Sequence, residues 1–342
     1  MQYKLASVVA LIAGVAAGSA LAADQTFNLK FAHHLPAKFP LHTKGMVPWT
    51  KSIEQASGGT IKVTIFPSQQ LGKAKDQYDM AKNGIVDIAW YNPGFIPGRW
   101  PIISAIELPL LVSESKAGSA ALTEWYQKYA AKEMGDVHFC LAHALEPGVI
   151  SSAKKKIVWP NDLSGLKIRP MNGTIAGMVR NLGGTSVYAP GGDTRDLVER
   201  GIADAVFFSW NSMQIWGIHK PLKFHMDFPI ASTAFIWVMN KKAYGQFSAA
   251  QKRVIDAHCT PEWARKVTVA FTDWELVGRK KLREMKGHEV YTISADAQKA
   301  WHQAGKPLRA AWAAEASKKG IDADAAYSEL VAALKKHGAL LE

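Results

Sequence analysis

Twice along this chain a strand-like segment gives way to a helix-like one and then to another strand, and that order leaves few architectures open. In "TFNLKFAHHLP", Phe27, Leu29 and Phe31 alternate with Asn28 and Lys30 before His33, His34 and Pro36, so a strand runs out into a loop. A helix over Leu41 to Gln55 comes next, Gly58 and Gly59 end it, and "TIKVTIFP" alternates Ile61, Val63 and Ile65. After a further helix comes the strand of "GIVDIAWYNPG". The second round runs through "GLKIR", a helix opening at Thr174, "TSVYAP", a helix in "DTRDLVERG" with Thr194 as N-cap and Gly201 as C-cap, and "IADAVFFSW". Such repeats predict parallel sheets with helices on their faces, and sites in these sheets lie beyond the carboxyl ends of the strands. That rule selects His33, His34, Tyr91 and Asn92 in the first unit. In the second it selects Arg169, Tyr188 and the stretch from Phe207 to Trp210.

Residues 1–22, "MQYKLASVVALIAGVAAGSALA", join an early cation, a short apolar run and a small-x-small cleavage site, the pattern of an export signal rather than of a membrane anchor. The chain beyond this segment is long enough for two domains with separate cores. A third strand-like run, "AFIWVMNKKAY", returns the chain to the first sheet. Thr260 before Pro261 then starts a helix of about 26 residues, roughly 39 Å at 1.5 Å per residue, enough to brace both units. The formal charge of +12 comes from dispersed pairs and triplets of Lys and Arg, without a basic arm or a nucleic-acid motif, so nucleic acid is not an expected partner. Cys140 and Cys259 are the only cysteines; an exported chain allows them one disulfide, and burial as free thiols is the alternative. No Cys/His cluster has zinc spacing, no Gly-x-Ser-x-Gly element occurs, and the "LGG" and "PGG" glycines lack a phosphate-loop pattern. No cofactor, no metal and no enzymatic activity are expected.

Arg169 stands where "GLKIR" stops against Pro170. A guanidinium presents a planar, permanently charged fork that matches a carboxylate with two parallel hydrogen bonds, so its functional reading is a clamp for an acid; a structural bridge to Asp or Glu is the alternative. The aromatic residues Tyr91, Tyr188, Phe208 and Trp210 at strand ends suit a pocket lined by rings, and ordinary core packing is the competing reading for each.

The runs "NLKFAHHLPAKFPLHTKGMVPWTKSIEQASGGTIKVTIFPSQQLG", "GIVDIAWYNPGFIPGRWP", "ELPLL" and "WPNDLSGLKIRPMNG", with the elements after them through "VMNKKAYGQFS", resemble the extracytoplasmic substrate-binding proteins of tripartite ATP-independent periplasmic (TRAP) transporters, of the dicarboxylate-binding type. The resemblance implies an α/β, two-lobed periplasmic binding protein fold with a long helix spanning both lobes. Residues 23–146 with 235–275 would form lobe I, residues 147–234 with 276–320 lobe II, and residues 321–342 a C-terminal helix. It also implies a periplasmic receptor, expected as a monomer, that binds a small organic anion and delivers it to small and large integral membrane subunits driven by an ion gradient. The arginine of "GLKIR" that grips the ligand carboxylate falls on Arg169. Ligand contacts are then expected from Arg169, Trp210, Phe208, Tyr91, His33 or His34, Asn172 and Tyr188. Arg99 in "PGRWP" is a further candidate, with a loop-fixing salt bridge as its alternative. Two departures bear on the ligand: Phe208 stands where members binding sialic acid or C4-dicarboxylates carry Asn, and Ile150 where many carry a second arginine. Both imply one carboxylate and a less polar body, aromatic or a branched keto or hydroxy acid. A solute sensor feeding a membrane kinase, or a secreted enzyme acting on organic acids, is the alternative function.

Overall fold

The computed structural model describes residues 25–341, so the expected export signal at 1–22 lies outside the described residues. Among the described residues eleven strands form two sheets. The first contains β1 (Phe27–Ala32), β2 (Ile61–Phe66), β3 (Ile88–Tyr91), β4 (His138–Ala144) and β10 (Ala234–Met239), in the order β2-β1-β3-β10-β4. The second contains β5 (Val149–Ser152), β6 (Lys167–Arg169), β7 (Thr185–Ser186), β8 (Ala205–Phe208), β9 (Phe224–Met226) and β11 (Glu289–Tyr291), in the order β11-β9-β5-β8-β6-β7.

The strand–helix repeats give the parallel pairs expected of them, β1 with β2 and β3, and β6 with β7 and β8. The expectation of purely parallel sheets needs correction, because β10 runs antiparallel to both β3 and β4 and β5 antiparallel to both β8 and β9. These are the strands through which the chain passes from one sheet to the other, and each enters against the direction of its neighbours. All six residues of β10 are buried, as its unbroken apolar run requires of a strand covered on both faces. The two crossing segments pair with each other: Leu145 N donates to Thr233 O (2.9 Å) and Gly148 N to Ala231 O (2.8 Å).

A second correction concerns Thr194. The helix Gly191–Glu199 starts three residues before it, and Thr194 is buried in the second turn with its hydroxyl donating to Pro190 O (3.0 Å). The two glycines leave no side chain to terminate the helix, and Pro190 in extended conformation does so instead. Gly201 does follow the helix end with φ +65°, the left-handed conformation that glycine adopts without strain.

The long helix Pro261–Glu284 is capped by Thr260, whose side chain accepts from Trp263 N (3.3 Å). At 24 residues it is about 36 Å long. Its first half packs Phe271 against Phe39 in the core beside the first sheet (ring centroids 5.8 Å apart). Its second half meets elements of the second sheet: the Glu275 carboxylate accepts from Asn211 N (2.6 Å) and Ser212 N (3.1 Å), and Arg279 pairs with Asp227 (2.6 Å). Cys140 in β4 and Cys259 ahead of this helix form a disulfide, Cα–Cα 4.6 Å, which settles the alternative left open by their number. Among the described residues no helix is long and apolar enough to cross a membrane.

Candidate ligand-binding site

The strand ends of both sheets border one cavity of about 740 Å³. From the first sheet come His34 just after β1, Trp90 in β3, Asn92 just after it, and Phe235 in β10; from the second come Arg169, Phe207 and Phe208. Trp90 and Phe235, on neighbouring strands, stack with centroids 4.1 Å apart and planes 7° from parallel. His34 lies against both, at 4.7 Å and 6.1 Å, and against Phe95 at 5.4 Å. This part of the wall is aromatic, and polar and charged side chains, Lys73, Lys75 and Asp193 among them, line other parts of the same cavity.

Pro170 has no N–H to extend the ladder, so β6 ends at Arg169 and its side chain reaches the cavity. Only 7% of the residue is exposed. Nε and Nη2 donate to Ala189 O (3.1 and 2.9 Å) and Nη1 to Phe207 O (3.3 Å). Phe208 lies under the guanidinium, Cζ 4.9 Å from the ring centroid. Among the described residues no carboxylate pairs with it, so the bridge weighed against the clamp is not formed. Burial pulls its pKa down to about 10, which leaves it charged at neutral pH: a desolvated cation. The first turn of the helix Gly191–Glu199 borders the same space and adds the positive end of its dipole.

Adjacent residues on a strand point to opposite sides, and the two histidines divide accordingly. His34 is on the cavity wall. His33 is fully buried, accepts from Leu35 N through Nδ1 (3.1 Å) and therefore carries its proton on Nε2, which donates to His42 Nδ1 (2.8 Å). Burial is the main cause that lowers both, His33 to about 3 and His34 to about 4, so both rings are neutral at pH 7.

Of the other expected contacts, Phe208 and Tyr188 line the cavity, Tyr188 at its mouth with 46% exposure. The structure places the remaining four off the wall. Tyr91 is buried behind it, edge-on to Phe95 and Trp100. Trp210 opens the helix Trp210–Ile215, which rotates its ring into the core with Val149, Val206 and Met213; Trp216 takes the place on the wall. Asn172 caps the helix Gly173–Asn181 by accepting from Ile175 N (2.8 Å), and donates through Nδ2 to Ser232 O (2.8 Å) in the crossing segment. Arg99 forms a two-pronged bridge to Asp79 (2.9 and 2.6 Å) and covers Trp100, the loop-fixing arrangement given as its alternative. Sequence reasoning missed Trp90 and Phe235, because an aromatic residue facing a ligand and one facing a core carry the same pattern. Among the described residues no group of three or more His, Cys, Asp or Glu is arranged to hold a metal ion.

A buried arginine, without a carboxylate partner among the described residues, thus stands among aromatic rings between two sheets joined by paired crossings. Comparison with known proteins places it. The model of the bacterial extracellular solute-binding proteins, family 7, matches residues 31–316. The chain belongs to that family. Solved structures similar to it include a TRAP solute-binding protein of Rhodoferax ferrireducens T118 with copurified benzoate, 26% identical, TM-score 0.85, covering 92% of this chain and 99% of that one. A TRAP solute-binding protein of an unidentified marine microbe, specific for aromatic acid ligands and solved with 3-hydroxybenzoate, is 28% identical with TM-score 0.84 and the same coverage. The outer membrane transporter protein TsaT of Comamonas testosteroni is 27% identical over 282 residues, 80% of this chain and 82% of that protein. The two-lobed TRAP receptor fold implied by the sequence is thus the fold observed, and family 7 proteins are solute-binding proteins rather than enzymes.

Proposed function

We propose that this protein is the periplasmic receptor of a TRAP uptake system for an aromatic monocarboxylate. The observation that carries this reading is the buried Arg169 guanidinium, without a carboxylate partner among the described residues, facing a cavity walled by Trp90, Phe95, Phe208, Trp216 and Phe235. A ligand carboxylate supplies the missing counterion, and the helix N-terminus at Gly191 adds to its stabilisation. The ring body packs among the aromatic side chains, and neutral His34 offers a hydrogen bond to a ring substituent. Phe208 and Ile150 stand where the resemblance sets an Asn and a second arginine, which favours a single carboxylate at Arg169, while Lys73 and Lys75 also line the cavity. Relatives holding benzoate and 3-hydroxybenzoate support the same ligand class.

In this reading the two units, residues 23–146 with 235–275 and 147–234 with 276–320, close on the acid about the paired crossings while the long helix braces them. Residues 1–22 direct export, and the loaded receptor docks on small and large membrane subunits that use an ion gradient. Calorimetric titration with benzoate, 3-hydroxybenzoate and succinate tests it. The aromatic monocarboxylates should bind and succinate should not, and Arg169→Ala should weaken binding by roughly two to nearly four decades, the about 3–5 kcal/mol cost of stripping one partner from a buried charge pair. Normal binding of benzoate by Arg169→Ala would remove the clamp from the account.

A further inference from the structure

A second cavity, of about 350 Å³, shares no wall residue with the first. Thr233 lines the first cavity, and the amide of the next residue, Ala234, donates to Glu107, which lines the second (3.2 Å). The walls come from the proline-rich segment after β3, the helix Gly173–Asn181 and the helix Ala295–Ser317. The space thus lies between segments that come after strands of the two different sheets.

Glu107 belongs to the "ELPLL" run, to which the acid-binding cavity assigns no role. It is 3% exposed, its one hydrogen bond is the contact with Ala234 N, and among the described residues no cation pairs with it. Burial raises its pKa to about 8, so in the empty cleft it holds its proton at neutral pH. Arg180 stands exposed on the rim of the same cleft, and among the described residues no carboxylate pairs with it. Glu315, also on the rim, is engaged by Lys318 (2.6 Å). Trp100, Trp312 and Leu308 give the same cleft an apolar wall. A buried carboxyl without a cationic partner in a concave site is a candidate ligand contact, since apolar residues would fill the same space at lower cost.

We propose that this cleft is a second small-molecule site that takes an aminocarboxylate with an apolar side chain, its ammonium on Glu107 and its carboxylate on Arg180. An incoming ammonium displaces the proton from Glu107, and the ligand brings together two charges that the chain leaves separate. The volume exceeds that of a single amino acid and is of the size of ordinary ligand pockets, about 300–1,000 Å³.

Calorimetric titration of L-leucine and L-phenylalanine into the Arg169→Ala protein tests this. Arg169→Ala weakens the first cavity's hold on carboxylates, and Glu107 and Arg180 line only the second cavity, so the effect of their substitution reports on the second site whatever the first one binds. The expected result is saturable binding of at least one of the two, with isoamylamine and isocaproate, which carry only one of the charges, at least tenfold weaker. Adding Glu107→Gln or Arg180→Ala should each weaken the amino acid at least tenfold. Gln keeps a carbonyl for Ala234 N, and an unchanged melting temperature would show that these proteins are folded. Absence of binding by either amino acid, binding indifferent to both substitutions, or isocaproate binding as tightly as leucine would overturn the proposal.

Discussion

The ring of Phe208 lies beneath the guanidinium of Arg169, its centroid 4.9 Å from Cζ, so the charge that faces the cavity is held between two backbone carbonyls and a π-face. A cation–π contact in a desolvated site contributes about 0.5–2 kcal/mol, and the ring also blocks one approach of water. Phe208→Ala should therefore weaken benzoate binding by roughly threefold to thirtyfold, well short of the loss expected for Arg169→Ala. Titration calorimetry of both variants side by side checks the order; equal losses would mean that Phe208 does more than support the arginine.

Acid should destabilise the protein through histidines that are buried neutral. Trp90 Nε1 donates to His143 Nε2 (2.6 Å), and burial lowers the His143 pKa from 6.5 to about 3. Between those values the unfolded chain takes up a proton that the folded one refuses, so stability is full above pH 6.5 and declines as pH falls toward 3. His33, His34 and His225 act in the same direction. Glu107, Glu146 and Glu275, whose pKa burial raises, act in the opposite direction, so the histidine contribution is read as a difference: in urea denaturation at a series of pH values, His143→Met should lose less unfolding free energy than the unsubstituted protein as pH falls from 6.5 toward 3. An identical slope in that variant would exclude His143 as a contributor.

The Cys140–Cys259 disulfide closes a loop across a sequence separation of 119 residues. Loop-closure entropy sets its contribution at about 4–5 kcal/mol, with native-state effects reducing it in practice. The Cys140→Ala, Cys259→Ala protein should melt at a lower temperature while keeping its affinity for benzoate, because neither residue lines the cavity. Differential scanning calorimetry and titration of the same sample separate the two effects.

Gly278, inside the long helix, lies against Asn211, whose backbone N is 2.5 Å from where a Cβ would sit. Helix propensity alone favours Gly278→Ala by about 1 kcal/mol. Packing should reverse that sign, since the contact is with backbone at the start of the Trp210–Ile215 helix and cannot rotate away. A net loss of about 1–3 kcal/mol in urea denaturation is expected. A gain in stability would show that the long helix can separate from the second sheet without cost.

The alternation of strand and helix patterns determined much of this protein in advance. Period-two runs at Phe27–Phe31 and Ile61–Ile65 fix which side chains a sheet can bury, and Pro170 fixes where β6 stops, so Arg169 at a strand end was legible from the sequence. The insertion of β10 between β3 and β4 was legible only in part: its apolar run announces a buried strand of the first sheet, and pairing alone sets its direction and neighbours. Tertiary structure decided what faces the cavity. His33 and His34 are equivalent in the sequence, and so are Trp210 and Trp216, until the side of a strand or the turn of a short helix separates them. Composition and periodicity record that a ring is buried, whereas whether it is buried against a core or against an empty space depends on how two sheets from distant parts of the chain are set facing each other.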